Sequence, residues 1–169
     1  MNRRTFVTAA TLGVASIAGC SALPGGDDGN DDDSSADLGN QSTDATDVTQ
    51  TLRIPVSEET AGQTLQSVSA TYPRDRFVVD SASHDAITVG VDSSGDGSLD
   101  EEFDSGVISG SNNNDYSFTI TLDTSYELQS GDIVMLDYPA IDNPSEAGEY
   151  DITVSLNEGP ERTVTVQIE

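Results

Sequence analysis

The chain has 169 residues, enough for one modest domain with additional segments. It carries 31 Asp and Glu against six basic residues, all Arg, for a formal net charge of −25, and its single cysteine is Cys20. That charge repels nucleic acid and anionic lipid headgroups, which excludes nucleic acid as a partner, and one cysteine excludes a disulfide within the chain.

The N-terminus reads MNRRTFVTAATLGVASIAGC. Two arginines precede a short apolar stretch, residues 6–18. A membrane-spanning helix needs about 20 such residues, so residues 1–19 have the layout of a signal peptide instead. Arg3 and Arg4, followed by Thr5, Phe6 and Val7, resemble the twin-arginine export motif. Ile17-Ala18-Gly19-Cys20 resembles a lipobox, in which the small residues admit the peptidase and the cysteine thiol receives lipid. The resemblance implies export of the folded chain and lipidation of Cys20, at the extracellular face of the cell membrane. Lipidation would leave no thiol for catalysis or for a metal. Removal of residues 1–19 takes two arginines with it, so the mature charge is 4 − 31 = −27.

An acidic excess of this size is also a mark of disorder. The apolar alternation after residue 50 argues for a folded domain there, with the charge as an adaptation to very high salt. At 1 M salt the Debye length is about 3 Å and self-repulsion is largely screened. Together with the export signals, this resembles the secreted lipoproteins of haloarchaea.

Residues 20–48 follow as the lipidated cysteine and an Asp-, Gly-, Ser- and Thr-rich run with almost no apolar content. Such a run is expected to be a disordered acidic tether, extended by its own charge. Asn40-Gln41-Ser42 within it is a glycosylation sequon, which makes Asn40 a candidate acceptor.

From residue 49 to 169 the pattern becomes short runs of alternating apolar residues. In chain order they predict strands over 52–56, 65–72, 77–80, 87–91, 103–108, 118–122, 133–138, 150–156 and 164–168. The clearest is EYDITVSLN, where Tyr150, Ile152, Val154 and Leu156 share one face and Asp151, Thr153 and Ser155 the other. Turn signals SGDG, GSNNND, LQSGD and NEGP separate the runs. Seven to nine short strands predict an all-β, antiparallel β-sandwich after the acidic linker. The stretch AIDNPSEAGEYDITVSL resembles the end of immunoglobulin-like surface domains. There a Gly-x-Tyr enters the penultimate strand and the tyrosine hydroxyl ties the preceding corner, roles that fall here on Gly148 and Tyr150.

The stretch DSSGDGSLDEEF, residues 92–103, has the spacing of a calcium loop. Its candidate ligands are Asp92, Ser94, Asp96, Ser98 through its carbonyl, and Asp100, with Gly97 at the sharp turn. The twelfth position should offer a bidentate carboxylate but is Phe103, so Glu102 is the candidate substitute. Ca2+ is thus the one candidate cofactor. The same residues are also good turn chemistry, in which Asp and Ser bond back to the main chain and Gly supplies positive φ.

Other chemistry is poorly served. His84 is the single histidine, and its adjacency to Ser83 and Asp85 is no support for a triad, which assembles in space. A copper or zinc site lacks its Cys and His ligands. Tyr72, Tyr116, Tyr138 and Tyr126 are candidates for a binding face or for core packing, and Arg74 and Arg76 in YPRDRF are expected to pair with the domain's own carboxylates. The sequence is therefore read as a non-enzymatic surface lipoprotein, an interaction or envelope module that meets the membrane through its anchor and a surface protein through its domain. The alternatives are a ligand-binding accessory protein of a membrane complex and a carboxylate-based hydrolase.

Overall fold

A computed structural model of the protein describes residues 34–169. Arg3, Arg4 and Cys20 lie outside the described residues. The described chain is an antiparallel β-sandwich of eleven strands in two sheets, two more than the upper sequence expectation. One sheet runs β1 (Ser35–Leu38), β2 (Val48–Pro55), β9 (Ile133–Asp142), β5 (Thr88–Asp92), β6 (Glu101–Phe103), with β4 (Val78–Val79) paired to the far end of β9. The other runs β11 (Arg162–Ile168), β10 (Gly148–Leu156), β3 (Ser67–Thr71), β8 (Ser117–Leu122), β7 (Ile108–Asn114).

Alternation along the strands builds the core. Leu52 and Ile54 of β2, and Val134, Leu136 and Tyr138 of β9, face Val68, Phe118, Ile120, Ile152 and Val154 of the opposite sheet, and all are buried. Full burial of one such side chain contributes roughly 1.5–3 kcal/mol. The rings of Phe118 and Tyr138 stack at 4.2 Å between the sheets. One polar residue shares this interior: Gln50 on β2 is fully buried and accepts a hydrogen bond from the Tyr72 hydroxyl. Burial, and then the neighbouring Tyr138, push the Tyr72 phenol well above its ordinary value. Gly90 on β5 is fixed by crowding, because a Cβ there would lie 2.5 Å from the Glu101 carbonyl and 2.8 Å from the Leu99 side chain.

The later part of the expected tether, from Ser35 on, is folded. Ser35–Leu38 pair with β2, Ser35 opposite Arg53 and Leu38 opposite Gln50, and bury Ala36 and Leu38 against the core. The turn that follows is held by the side chain of Asn143, which donates to the carbonyls of Asn40 and Ser42. The described domain therefore includes Ser35–Leu38 and does not begin at 49. Two apolar side chains in alternation and a ladder of backbone bonds outweigh the low hydrophobicity of the segment.

Two further expectations change. GSNNND is not a turn; its Gly110–Asn114 portion continues β7 against β8. The single strand expected over 103–108 is broken at Asp104, whose carboxylate accepts from the Gly106 amide and caps a 3-10 turn, Ser105–Val107.

β1 makes a direct prediction. Burial of Leu38 and the β1 ladder together contribute about 3 kcal/mol, on the order of 10 °C in midpoint for a domain of this size. A chain beginning at residue 49 should melt that much lower than one beginning at 34 when thermal unfolding is followed in molar KCl, and equal midpoints would make β1 energetically idle.

Candidate functional site

The acidic loop connects β5 to β6. Its ends are closed by the Asp100 amide on the Val91 carbonyl at 2.9 Å, and Gly95 and Gly97 take φ of 72° and 89° in the turn. These are conformations that favour glycine. Within it, Asp92, Ser94, Asp96, Ser98 and Asp100 are brought together as the spacing predicts, but their groups are turned onto one another. Asp92 is fully buried, with Oδ1 accepting from the Gly95 amide at 2.6 Å and the Ser94 hydroxyl at 3.3 Å, and Oδ2 from the Gly97 amide at 2.8 Å. Asp100 Oδ2 accepts from the Ser93 amide and hydroxyl, both at 2.9 Å, and from the Ser94 amide at 2.8 Å. Asp96 Oδ1 accepts from the Ser98 amide at 2.9 Å. From β2, Arg53 donates to the Gly97 carbonyl at 2.7 Å, which places a cation on the turn.

Glu102, the substitute ligand, is on β6 opposite Gly90, within the sheet ladder and beyond the loop. Phe103, at the twelfth position, sets its ring edge-on to Tyr126 at 5.8 Å. Calcium takes six to eight oxygens. Here both Asp92 oxygens are occupied by donors, an apolar contact stands where a bidentate carboxylate belongs, and no three of His, Cys, Asp and Glu gather for a metal among the described residues. The arrangement does not fit a calcium site as it stands; it fits a turn that satisfies itself.

The electrostatics agree. Burial opposes ionisation of Asp92, but the amides of Gly97 and Gly95 and the Ser94 hydroxyl outweigh it, so the carboxyl sits below its ordinary value. The Ser93 and Ser94 side chains and amides hold Asp100 low as well. Beside the loop, Asp132 is buried and accepts from the Tyr126 hydroxyl at 2.9 Å and the Gln129 amide at 2.8 Å. Burial first, then the bond to Asp132 and the charges of Asp132, Glu101 and Asp100, push the Tyr126 phenol up to about 12.

A second feature lies at the turn from β3 to β4. Arg74, Asp75, Arg76, Phe77, Val78, Asp115 and Tyr116 line an open hollow of about 710 Å³. The Arg74 guanidinium sits 4.0 Å from the centre of the Tyr116 ring and donates to its hydroxyl at 2.5 Å. Arg76 pairs with Glu146, as expected of an internal partner, although both side chains are largely exposed. Val78, 44% exposed, is the one large apolar side chain in the open among the described residues.

Of the candidate tyrosines, Tyr72 and Tyr138 are core, while Tyr116 is half-buried at the hollow. The Tyr150 hydroxyl donates to the Glu146 carbonyl at 2.8 Å and so makes the corner tie expected of it. His84 is exposed on a 3-10 turn, and the neighbouring Asp85 accepts from the Ser105 hydroxyl at 2.9 Å. Asn40 is exposed in the turn after β1, with its side-chain carbonyl accepting from the Ser42 amide at 3.0 Å.

No family model and no curated protein matches the chain. Among solved structures it is similar to the bacterial hydrophobin BslA at 15% identity, over 79% of this chain and 94% of that one, with a TM-score of 0.44. It is similar to the collagen-binding subdomain of the Enterococcus faecalis surface protein ACE at 14% identity, over 79% and 94%, with a TM-score of 0.39. A third, an immunoglobulin-like protein from Nocardia farcinica, is 17% identical over 80% and 96%, also with a TM-score of 0.39. The fold stands on the strand pairing given above and takes nothing from these likenesses.

Two outcomes follow for the loop. Asp92→Ala leaves the Gly95 and Gly97 amides without their acceptor and should lower the midpoint by on the order of 5–10 °C, whereas Asp96→Ala, at an exposed position, should change it little. Because the folded-state values of Asp92 and Asp100 are lowered, their contribution is complete above the ordinary carboxylate value of about 3.9 and is lost as the pH falls through the folded values. A melting series from pH 7 to 2 should show this loss, and it should be smaller in Asp92→Ala. With the carboxylates already paired, calcium and chelator should give the same midpoint in molar KCl; a calcium-specific rise abolished by Asp96→Ala would give the loop a cation.

Proposed function

We propose that the chain is a non-enzymatic cell-surface module, exported through Arg3 and Arg4, held at the extracellular face of the membrane through lipid on Cys20, and acting by contact with a surface or envelope partner. The observation that supports this best is the joining, in one chain, of export and lipidation signals to a highly acidic sandwich. Five of the 31 acids precede residue 34, so 26 carboxylates face four arginines in the described part. Such a domain repels anionic surfaces, so its hold on a membrane would come from the anchor. Asn40, exposed in its turn, is the glycan acceptor of this proposal.

A ligand-binding accessory role is favoured by one observation, the hollow lined by Arg74, Arg76 and Tyr116, two of the four described guanidiniums beside an aromatic ring that Arg74 covers. Its ligand would be a small anion, and calorimetry with simple carboxylates in molar KCl, compared with Arg74→Ala, tests it. No observation among the described residues favours a carboxylate-based hydrolase.

The proposal is tested by cell fractionation. The wild-type chain should partition into detergent with the membranes and be open to protease on intact cells. Cys20→Ser should release it to the medium, and Arg3→Lys with Arg4→Lys should retain an uncleaved precursor inside. A Cys20→Ser chain that stays with the membrane would overturn the anchor.

A further inference from the structure

The hollow beside β4 holds a cation that the domain does not neutralise. Arg76 is paired with Glu146, but Arg74 forms no ion pair among the described residues, although carboxylates are abundant. Arg74 is held instead by Tyr116, through the ring face and the bond to the phenol oxygen. The contact fixes the plane of an exposed guanidinium, and the phenol takes one of its five N–H groups. The same hollow is lined by Phe77, which is buried, and by the exposed Val78.

The hollow also lies at one particular end of the sandwich. Along β9, Met135 is opposite Arg53, which pairs in turn with Ser35, whereas Asp142 is opposite Val78. These two points are roughly 20 Å apart along the strand. The other sheet repeats the arrangement. Arg76 meets Glu146 just before β10 begins, whereas Arg162, which reaches the Ser34 hydroxyl, is opposite Val154 well along that strand. The start of β1 and the hollow are therefore at opposite ends, and a domain held by the chain before Ser35 turns the hollow away from its point of attachment.

We propose that this hollow is where the module takes its partner, and that the partner offers a segment of a surface protein in which one carboxylate stands among apolar residues. The inference rests on the surface-module reading above and names the contact it requires. The occupant follows from the lining. Arg74 presents a planar fork already held in place, which suits a carboxylate. An exposed ion pair alone contributes little and is screened by salt, so apolar contact must supply the rest. Val78 offers it, as the one large apolar side chain in the open among the described residues. Asp75 and Asp115, which also line the hollow, repel a run of acids and so limit the segment to one.

The test is calorimetry of the full chain in 2 M KCl against a capped pentapeptide with one central glutamate between valines. Saturable binding is expected. The glutamine version of the peptide should bind at least tenfold more weakly. Arg74→Lys, which keeps the charge but loses the flat stack on Tyr116, should cost the same. Val78→Ser should weaken binding about threefold, and Asp37→Asn, on β1 away from the hollow, should leave it unchanged. No binding, equal binding of the two peptides, or acetate binding as tightly as the glutamate peptide would overturn the proposal. An oligogalacturonate that binds where the peptide does not would overturn it equally. Binding is read in solution and does not depend on Cys20. A Cys20→Ser chain that stays with the membrane yet binds the peptide sinks the anchor alone, and one that is released but binds no peptide sinks this inference alone.

Discussion

The constraint on which this structure depends is the placement of charge. A chain with this density of carboxylates can fold only if nearly every one remains in water. The sandwich meets that demand through alternation, clearest along β10, where Ile152, Val154 and Leu156 are buried and Glu149, Asp151, Thr153 and Ser155 take the other face. Two carboxylates are nonetheless buried, Asp92 and Asp132, and each is met by backbone amides. The cost of burying a charge is thereby offset by donors whose orientation the turn itself fixes. Both acids sit at loop ends, which are the places where a sheet has free amides to offer.

Most strands were legible because period two survives wherever a strand has one wet and one dry face, as in residues 118–122, 150–156 and 164–168. β7 was not, because its buried face is built from Ser111 and Asn113 rather than from hydrocarbon, and its residues are those of turns. β1 was hidden in acidic surroundings, although Ala36 and Leu38 already show the alternation. Gln50 occupies a position in phase with Val48, Leu52 and Ile54, so its burial was readable, while its partner Tyr72 was not. Gly90 carried a signal in plain view, since glycine inside a strand marks a close approach.

The acidic loop shows how spacing and chemistry separate. Alternate Asp and Ser positions with a glycine between them bring oxygens to a common centre, which is what a hard cation asks for. They bring amide hydrogens there as well. In this loop the amides of Ser93, Ser94, Gly95 and Gly97 take the oxygens, and Phe103 faces Tyr126. The sequence pattern alone could not tell the two apart, because both use the same turn and the same residues.

The bond from Arg162 to Ser34, between residues 128 positions apart, and the paired bonds between Glu169 and the turn after β1 have a bearing on synthesis. A ribosome delivers Ser34 long before Arg162. β1 can pair with β2 early, but its turn waits for residue 169 before it is locked. Closure is thus deferred until the far end of the sandwich exists, and a nascent or truncated chain would display a loose N-terminal strand that a completed one does not. The start of the described domain is thus pinned by a residue synthesised 128 positions later.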